Sequence, residues 1–332
     1  MKFCSRCVLP DTFPGIQFDE KHVCNYCSGG YVPDDDKRQE YTKKFEDLLD
    51  SVRGKHDYDV IMAYSGGKDS TYTLHILAKK YNMRILALTF DNGFISPRAV
   101  QNITHMTDLC GATSMIVRPS FELMKRVFAV AAREDFYSPK TLDRASSICT
   151  TCIGHVKSLV LKTALSMNIP LAAYGWSPGQ APITSAIMQT SARMQAITNR
   201  TVRDLLFKRF PNELTPFFLS NEDMKYPAER WPINIHPLAF LPYNENEIVK
   251  IIQSLGWVMP QDTDPNSSNC TLNALANHIH REKFGFHPYA WEIAGIVRSG
   301  SMDREEGIEK TNQPEDVNMV RYGAERLGIE VK

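Results

Sequence analysis

An apolar run, Val60-Ile61-Met62-Ala63-Tyr64, enters Ser65-Gly66-Gly67-Lys68-Asp69-Ser70 and leaves it into the helical pattern of Thr71 to Tyr81. A buried strand, a glycine turn and a helix in that order commit the chain to an α/β architecture, and the turn is built to hold an anion. Two glycines let backbone N–H groups converge, Lys68 adds a point charge, and the helix aims its positive end at the same place. Ser70 can bond phosphate or cap the helix, and Asp69 can help place Mg²⁺. The run does not match G-x-x-x-x-G-K-S/T, so the ordinary P-loop is excluded. A chance Ser-Gly-Gly turn would rarely fall between a buried strand and a helix with Lys, Asp and Ser in this order.

Further along, Arg84 to Phe90, Ser114 to Val117 and Ile169 to Tyr174 read as strands separated by helical segments. Alternation of this kind predicts an α/β fold with a doubly wound parallel sheet. Ligands bind beyond the carboxyl ends of such strands, so Asp91-Asn92-Gly93 can meet adenine or ribose. The same tripeptide is also a turn former that needs no ligand.

The eight cysteines sort unevenly. Nothing near Met1 has the apolar core of an export signal and no run approaches the roughly 20 residues of a membrane span, so the expectation is a cytoplasmic protein with reduced thiols and no membrane partner. Cys4, Cys7, Cys24 and Cys27 give C-x2-C-x16-C-x2-C, a spacing that closes two thiolate turns on one tetrahedral Zn²⁺. Four protein ligands leave no open position, which makes the expected role structural. His22 reads as a solvated loop residue. Cys149 and Cys152 open a helix that runs to about Met167, where thiols are biased toward thiolate. An iron–sulfur cluster, a redox or persulfide-carrying pair and a second zinc site all fit a lone C-x-x-C. Cys110, before an apolar strand, reads as a small core residue.

Ser65-Gly66-Gly67-Lys68-Asp69-Ser70 resembles the PP-loop of the ATP pyrophosphatases, a family that includes tRNA thiolases, tRNA lysidine synthetase, GMP synthetase and argininosuccinate synthetase. The resemblance implies an adenine nucleotide alpha hydrolase-like fold that binds ATP and Mg²⁺ and adenylates an acceptor oxygen, releasing pyrophosphate. It implies nucleotide contacts at Ala63, Tyr64, Ser65, Gly66, Gly67, Lys68, Asp69, Ser70, Phe90, Asp91 and Gly175, with Lys68 and Asp69 catalytic. Iron–sulfur thiolases of that family carry a C-x-x-C between the third and fourth strands and a distant third cysteine. Cys149, Cys152 and Cys270 match those places, and His236-Pro237-Leu238 with Glu245-Asn246-Glu247-Ile248 is similar to the segment before the third cysteine. The implied cofactor is a 4Fe–4S cluster with one open iron, fed by sulfide or a sulfur-donor protein, in a homodimer. The cysteine arithmetic agrees: four for zinc, three for the cluster, and Cys110.

A second resemblance covers the N-terminus. Cys4-Ser5-Arg6-Cys7-Val8-Leu9-Pro10-Asp11-Thr12, Phe18-Asp19-Glu20 and Val23-Cys24-Asn25-Tyr26-Cys27 look like the opening of N-acetyl sugar amidotransferases of surface-polysaccharide synthesis. It implies the same adenylation with ammonia from a partner glutaminase, a chemistry with no use for Cys149 and Cys152.

The resulting organisation is a zinc ribbon over 1–30, a helical connector over 31–56, a nucleotide domain over 57–260 with an acceptor-binding insertion at about 183–231, and an extension over 261–332 carrying Cys270. Tyr41, Phe45, Leu48, Leu49 and Val52 give the connector its helical spacing. The acceptor is a small molecule or a tRNA base. Arg193, Arg200, Arg203, Lys208 and Arg209, interleaved with Phe207, Phe210, Phe217 and Phe218, read either as an RNA-facing patch or as a helix with a solvated face and an aromatic core. With 38 basic and 38 acidic residues, no bulk field draws nucleic acid. His278 and His280 are two apart and share no helix face, which favours hydrogen-bonding roles over a second metal site. Arg298 and Arg304 are available to steady phosphate or substrate charge.

Overall fold

The computed structural model describes residues 2–29, 35–135, 137–180 and 182–331, so Gly30 and residues 31–34 of the connector lie outside the described residues. Strands β1 (Val60–Ala63), β2 (Ile85–Phe90), β3 (Thr113–Val117), β4 (Leu171–Tyr174), β5 (Ile187–Gln189) and β6 (Ile233–Ile235) form one sheet in the order β3-β2-β1-β4-β6-β5. Neighbours are parallel from β3 to β6, and β5 runs antiparallel along the edge. The expected doubly wound sheet is therefore present with one departure. Part of the insertion, β5, lies on the edge and runs antiparallel to β6.

Side-chain alternation along the strands feeds two cores. Ile61, Leu86, Leu88 and Ala172 face the helices Phe121–Arg133 and Ser147–Met167. Val60, Met62, Ile85, Ala87, Leu171 and Ala173 face the opposite set, Asp35–Val52, Lys68–His75, Pro97–Cys110 and Glu245–Ser254. Helices on both faces bury both sides of the central strands, which is why these strands are apolar throughout rather than alternating. Cys110 lies buried in the second core, as a small apolar residue would.

The chain runs outward from β1 to β2 and β3, then crosses back to place β4 on the other side of β1. The order reverses between β1 and β4, so the crevice beyond their carboxyl ends is the topological switch point where open α/β sheets bind ligands. Among the described residues no helix is long and apolar enough to cross a membrane.

Candidate functional site

The glycine turn sits at that crevice. Gly66 takes φ +73, and a Cβ there would stand 2.7 Å from Ala99 O and 2.8 Å from Ile103 Cγ1, so no other residue fits. Trp257 Nε1 donates to Gly66 O at 2.9 Å, Ser70 Oγ to Gly67 O at 3.1 Å, and the Ser65 and Ser70 hydroxyls lie 3.0 Å apart. Lys68 N donates to Ser268 Oγ at 2.9 Å, a contact across 200 residues of sequence. At the end of β4, a Cβ on Gly175 would lie 2.5 Å from Ser70 Cα and 2.7 Å from Ser70 N. Gly175 is thus the place where β4 touches the first turn of the helix beginning at Lys68.

A cleft of about 300 Å³ opens here, lined by Ala63, Tyr64, Ser65, Gly67, Lys68, Asp69, Ser70, Phe90 and Gly175 from the sequence-read positions. Gly66 stays behind the lining as the hinge of the turn. Asp91 also stays out of it: Oδ1 accepts from Gly93 N at 2.9 Å and Oδ2 pairs with Arg118 Nε at 3.3 Å. Its neighbour Asn92 faces the cleft instead.

Asn92 links the turn to the thiols. Its Nδ2 donates to Cys152 Sγ at 3.4 Å, and its Oδ1 accepts from Phe94 N at 2.9 Å, which fixes the amide orientation. Cys270 arrives through a short antiparallel pairing, with Ser96 N donating to Asn269 O and Thr271 N to Phe94 O, both at 2.9 Å. Cys152 and Cys270 line the same cleft as the turn. Cys149 lies one helical turn before Cys152, its backbone N–H bound by the capping Ser146 Oγ and its Sγ facing Asn273 Nδ2 at 3.7 Å. Asn273 is oriented in turn by Asn277 Nδ2 at 3.0 Å.

The thiols are not held as thiolates by the helix start. Burial pushes all three up, Cys152 and Cys270 to about 12, and outweighs the amide hydrogen bonds to Cys149 and Cys152. The first-turn bias expected from sequence is overridden because, among the described residues, no cation offsets the burial of the sulfurs. Two of the three thiols do carry amide N–H donors, which suit an anionic, metal-bound sulfur. They do not close into the tight ligand group that a single ion requires, whereas the N-terminal four do. Three thiols with amide donors among their neighbours are a donor set that suits an iron–sulfur group.

Lys68 is surrounded by acid: Asp69 Oδ2 at 2.8 Å and Glu245 Oε1 at 3.9 Å. Burial works against its charge, but Asp69, Tyr243 and Glu245 outweigh it and hold the ammonium well above its usual range. Tyr243 Oη donates to Asp69 Oδ1 at 3.1 Å, so the carboxylate is fixed while each oxygen keeps a lone pair for a cation. Opposite stands Glu292, pushed up to about 7 by burial against the lowering effect of Ser177, whose Oγ donates to it at 2.7 Å. Glu292 enters the cleft because a Cβ on Gly179 would overlap Glu292 O, and one on Gly295 would lie 2.6 Å from Gly179 Cα. Two glycines bring the helix Ala290–Arg298 backbone to backbone with the loop after β4. The sequence singles out neither Glu292 nor Ser268, and it offers Asn92 only as part of the Asp91-Asn92-Gly93 turn.

The four N-terminal cysteines are buried with their sulfurs all within 4.8 Å of one another. Cys24 N, Arg6 N and Cys7 N point at Cys4 Sγ at 3.2, 3.4 and 3.5 Å, a set of donors that stabilises a metal-bound thiolate. Arg304 is committed here rather than to phosphate: Nε and Nη2 donate to Cys4 O at 3.0 and 2.7 Å, and Nε to Cys7 O at 3.2 Å. Arg298 lies over the Trp291 ring. In the basic run, Arg203 pairs with Asp204 and Leu219 O, Arg209 with Glu134, and Phe210 and Phe218 are buried core residues. His280 is buried between Phe284 and Phe286, and His278 faces Glu315 at 4.0 Å.

No protein-family model matches the sequence. A curated relative, an uncharacterized protein of Methanocaldococcus jannaschii, is 22% identical over 99% of both chains. Solved structures similar to this chain include the U34-tRNA thiolase NcsA from Methanococcus maripaludis with its 4Fe–4S cluster, at 17% identity and TM-score 0.36, covering 99% of this chain and 90% of that one. NMN synthetase from Francisella tularensis aligns at 10% identity and TM-score 0.38, covering 89% and 98%.

Proposed function

We propose that this chain is an ATP-dependent sulfurtransferase of the PP-loop type. The acceptor oxygen attacks the α-phosphorus of ATP, the bond to the β-phosphate oxygen breaks, and pyrophosphate leaves. Hydrosulfide then adds to the adenylated carbon and AMP departs with the original oxygen. The observation that carries this reading is the opening of Cys152 and Cys270 onto the same cleft as Ser65–Ser70 at the β1/β4 switch point. Backbone N–H groups of the turn and the helix at Lys68 bind phosphate, Lys68 offsets its charge, and Asp69 places Mg²⁺. Glu292, raised to about 7, is partly ionised at physiological pH, and its carboxylate form can take the proton of an attacking hydroxyl. Cys149, Cys152 and Cys270 would hold a 4Fe–4S cluster, which when bound supplies the sulfur nucleophile. Zn²⁺ on Cys4, Cys7, Cys24 and Cys27 is structural in this reading.

The test is anaerobic reconstitution with iron and sulfide. A broad absorption band in the blue is expected, with acid-labile sulfide, and it should vanish in Cys149→Ala, Cys152→Ala and Cys270→Ala. Parent protein that stays colourless rules out the cluster. Nitrogen delivery from a glutaminase makes the opposite forecast, that Cys149→Ala retains pyrophosphate release with ammonia.

A further inference from the structure

A second cavity of about 320 Å³ shares a wall with the nucleotide cleft. Ile153 and Lys157, four apart on the helix Ser147–Met167, line both spaces, as do Trp176, Gln180 and Glu292. A molecule in the second cavity would face a nucleotide across that wall. On its far side the cavity is closed by the helix Ala192–Thr201 from the insertion.

Its charges are unbalanced. Lys157 Nζ lies over the Trp176 ring at 4.5 Å and Arg144 over the Trp291 ring at 5.1 Å, and among the described residues neither cation meets a carboxylate. The acid in the wall, Glu292, is engaged by Ser177. Burial, together with Arg144, pulls the Lys157 ammonium down to about 8, the expected response of a partly desolvated cation beside a like charge. Asn199, 6% exposed, also lines the cavity, and its side-chain amide bonds no protein group among the described residues. Two cations without a carboxylate partner and a free amide converge on a space of small-molecule size whose lining carboxyl, Glu292, is bonded by Ser177.

We infer that this cavity is the acceptor site and that the acceptor is a small anionic molecule, its carboxylate or phosphate held by Lys157 and Arg144 with Asn199 alongside. The inference rests on the adenylation reading for the word acceptor, but its ligand class is read from the cavity alone. A tRNA base would bring a chain of phosphates along the surface; this site gathers its two unpaired cations at one cavity beside the nucleotide cleft.

The experiment uses matched probes on the full chain: benzoate, phenyl phosphate and neutral benzamide, titrated by calorimetry, with ATP titrated separately. Either anion should bind the parent about tenfold or more tightly than benzamide, as charge-assisted contacts require. Which anion wins distinguishes a carboxylate from a phosphate acceptor. Lys157→Gln and Arg144→Gln should each erase most of the preference, and Lys157→Arg should restore it. Arg144 is exposed and lines only the second cavity, so Arg144→Gln should bind ATP as the parent does. Equal binding of anion and amide by the parent, or a preference that survives both Gln variants, overturns the inference. If the parent discriminates the probes yet binds no ATP, the adenylation reading fails and the anion site stands.

Discussion

At the residue scale the least expected group is Glu292. Nothing in the spacing of Ala290 to Arg298 marks it, and it becomes visible only when Gly179 and Gly295 are seen to hold two backbones in contact. The glycine turn and the cysteine pairs were readable because their chemistry is set by local spacing, whereas Asp91 and Asn92 exchanged roles through side-chain direction, which spacing does not encode. Glu292 carries a pH signature. Its folded-state value, about 7, lies above the ordinary 4.5, so folding takes up a proton between those limits. Stability contributed through this group is greatest below about pH 4.5 and declines until about pH 7. Glu292→Gln removes the decline. In thermal unfolding the variant should match the parent near pH 4 and exceed it at pH 8 by up to about 3 kcal/mol. A variant less stable than the parent at pH 8 would show that the carboxylate is stabilised as an anion after all.

At the scale of elements, the two chain ends that read as separate appendages pack on one another. Phe13 stacks on Trp291 at 5.7 Å and meets Phe286 edge-on, and the cysteine-bearing turns share a core with Ala290, Ile293 and Ala294. No periodicity could reveal a contact that spans most of the sequence, just as three-residue strands such as β5 and β6 are too short to alternate legibly. β1, β2 and β4 were legible because each is a nearly continuous apolar run flanked by turns. Arg304 ties the ends together through the Cys4 and Cys7 carbonyls, so its loss should act at a distance. Arg304→Ala is expected to destabilise the protein by about 2 kcal/mol, since charge-assisted bonds to buried carbonyls are lost. Zinc, if loaded on the four N-terminal cysteines as proposed, should also pass faster to a chromogenic chelator. Parent-like melting together with parent-like zinc retention would mean that the clasp adds nothing to what Phe13 and Trp291 already provide.

For the whole molecule, the cleft lies where the chain reverses direction across the sheet, and its walls come from β1, β2, β4, the loop carrying Cys270 and the helix carrying Glu292. A ligand bound there touches segments drawn from positions 63 to 292, so it should stabilise the fold as a unit rather than order one loop. At about 100 times its dissociation constant, ATP with Mg²⁺ should add about 2.7 kcal/mol, a rise in melting temperature on the order of 4 °C for a chain of this size. Gly175 is the point at which this coupling can be cut. A Cβ placed 2.5 Å from Ser70 Cα must push β4 from the helix that ends the turn, at a cost of about 1–3 kcal/mol to the unliganded protein. Because the displaced atoms belong to the turn proposed to bind phosphate, Gly175→Ala should keep a cooperative transition at lower temperature and lose the nucleotide-dependent rise. If the variant melts lower but gains as much from ATP as the parent, the nucleotide sits elsewhere, and Gly175 serves only the packing of strand against helix.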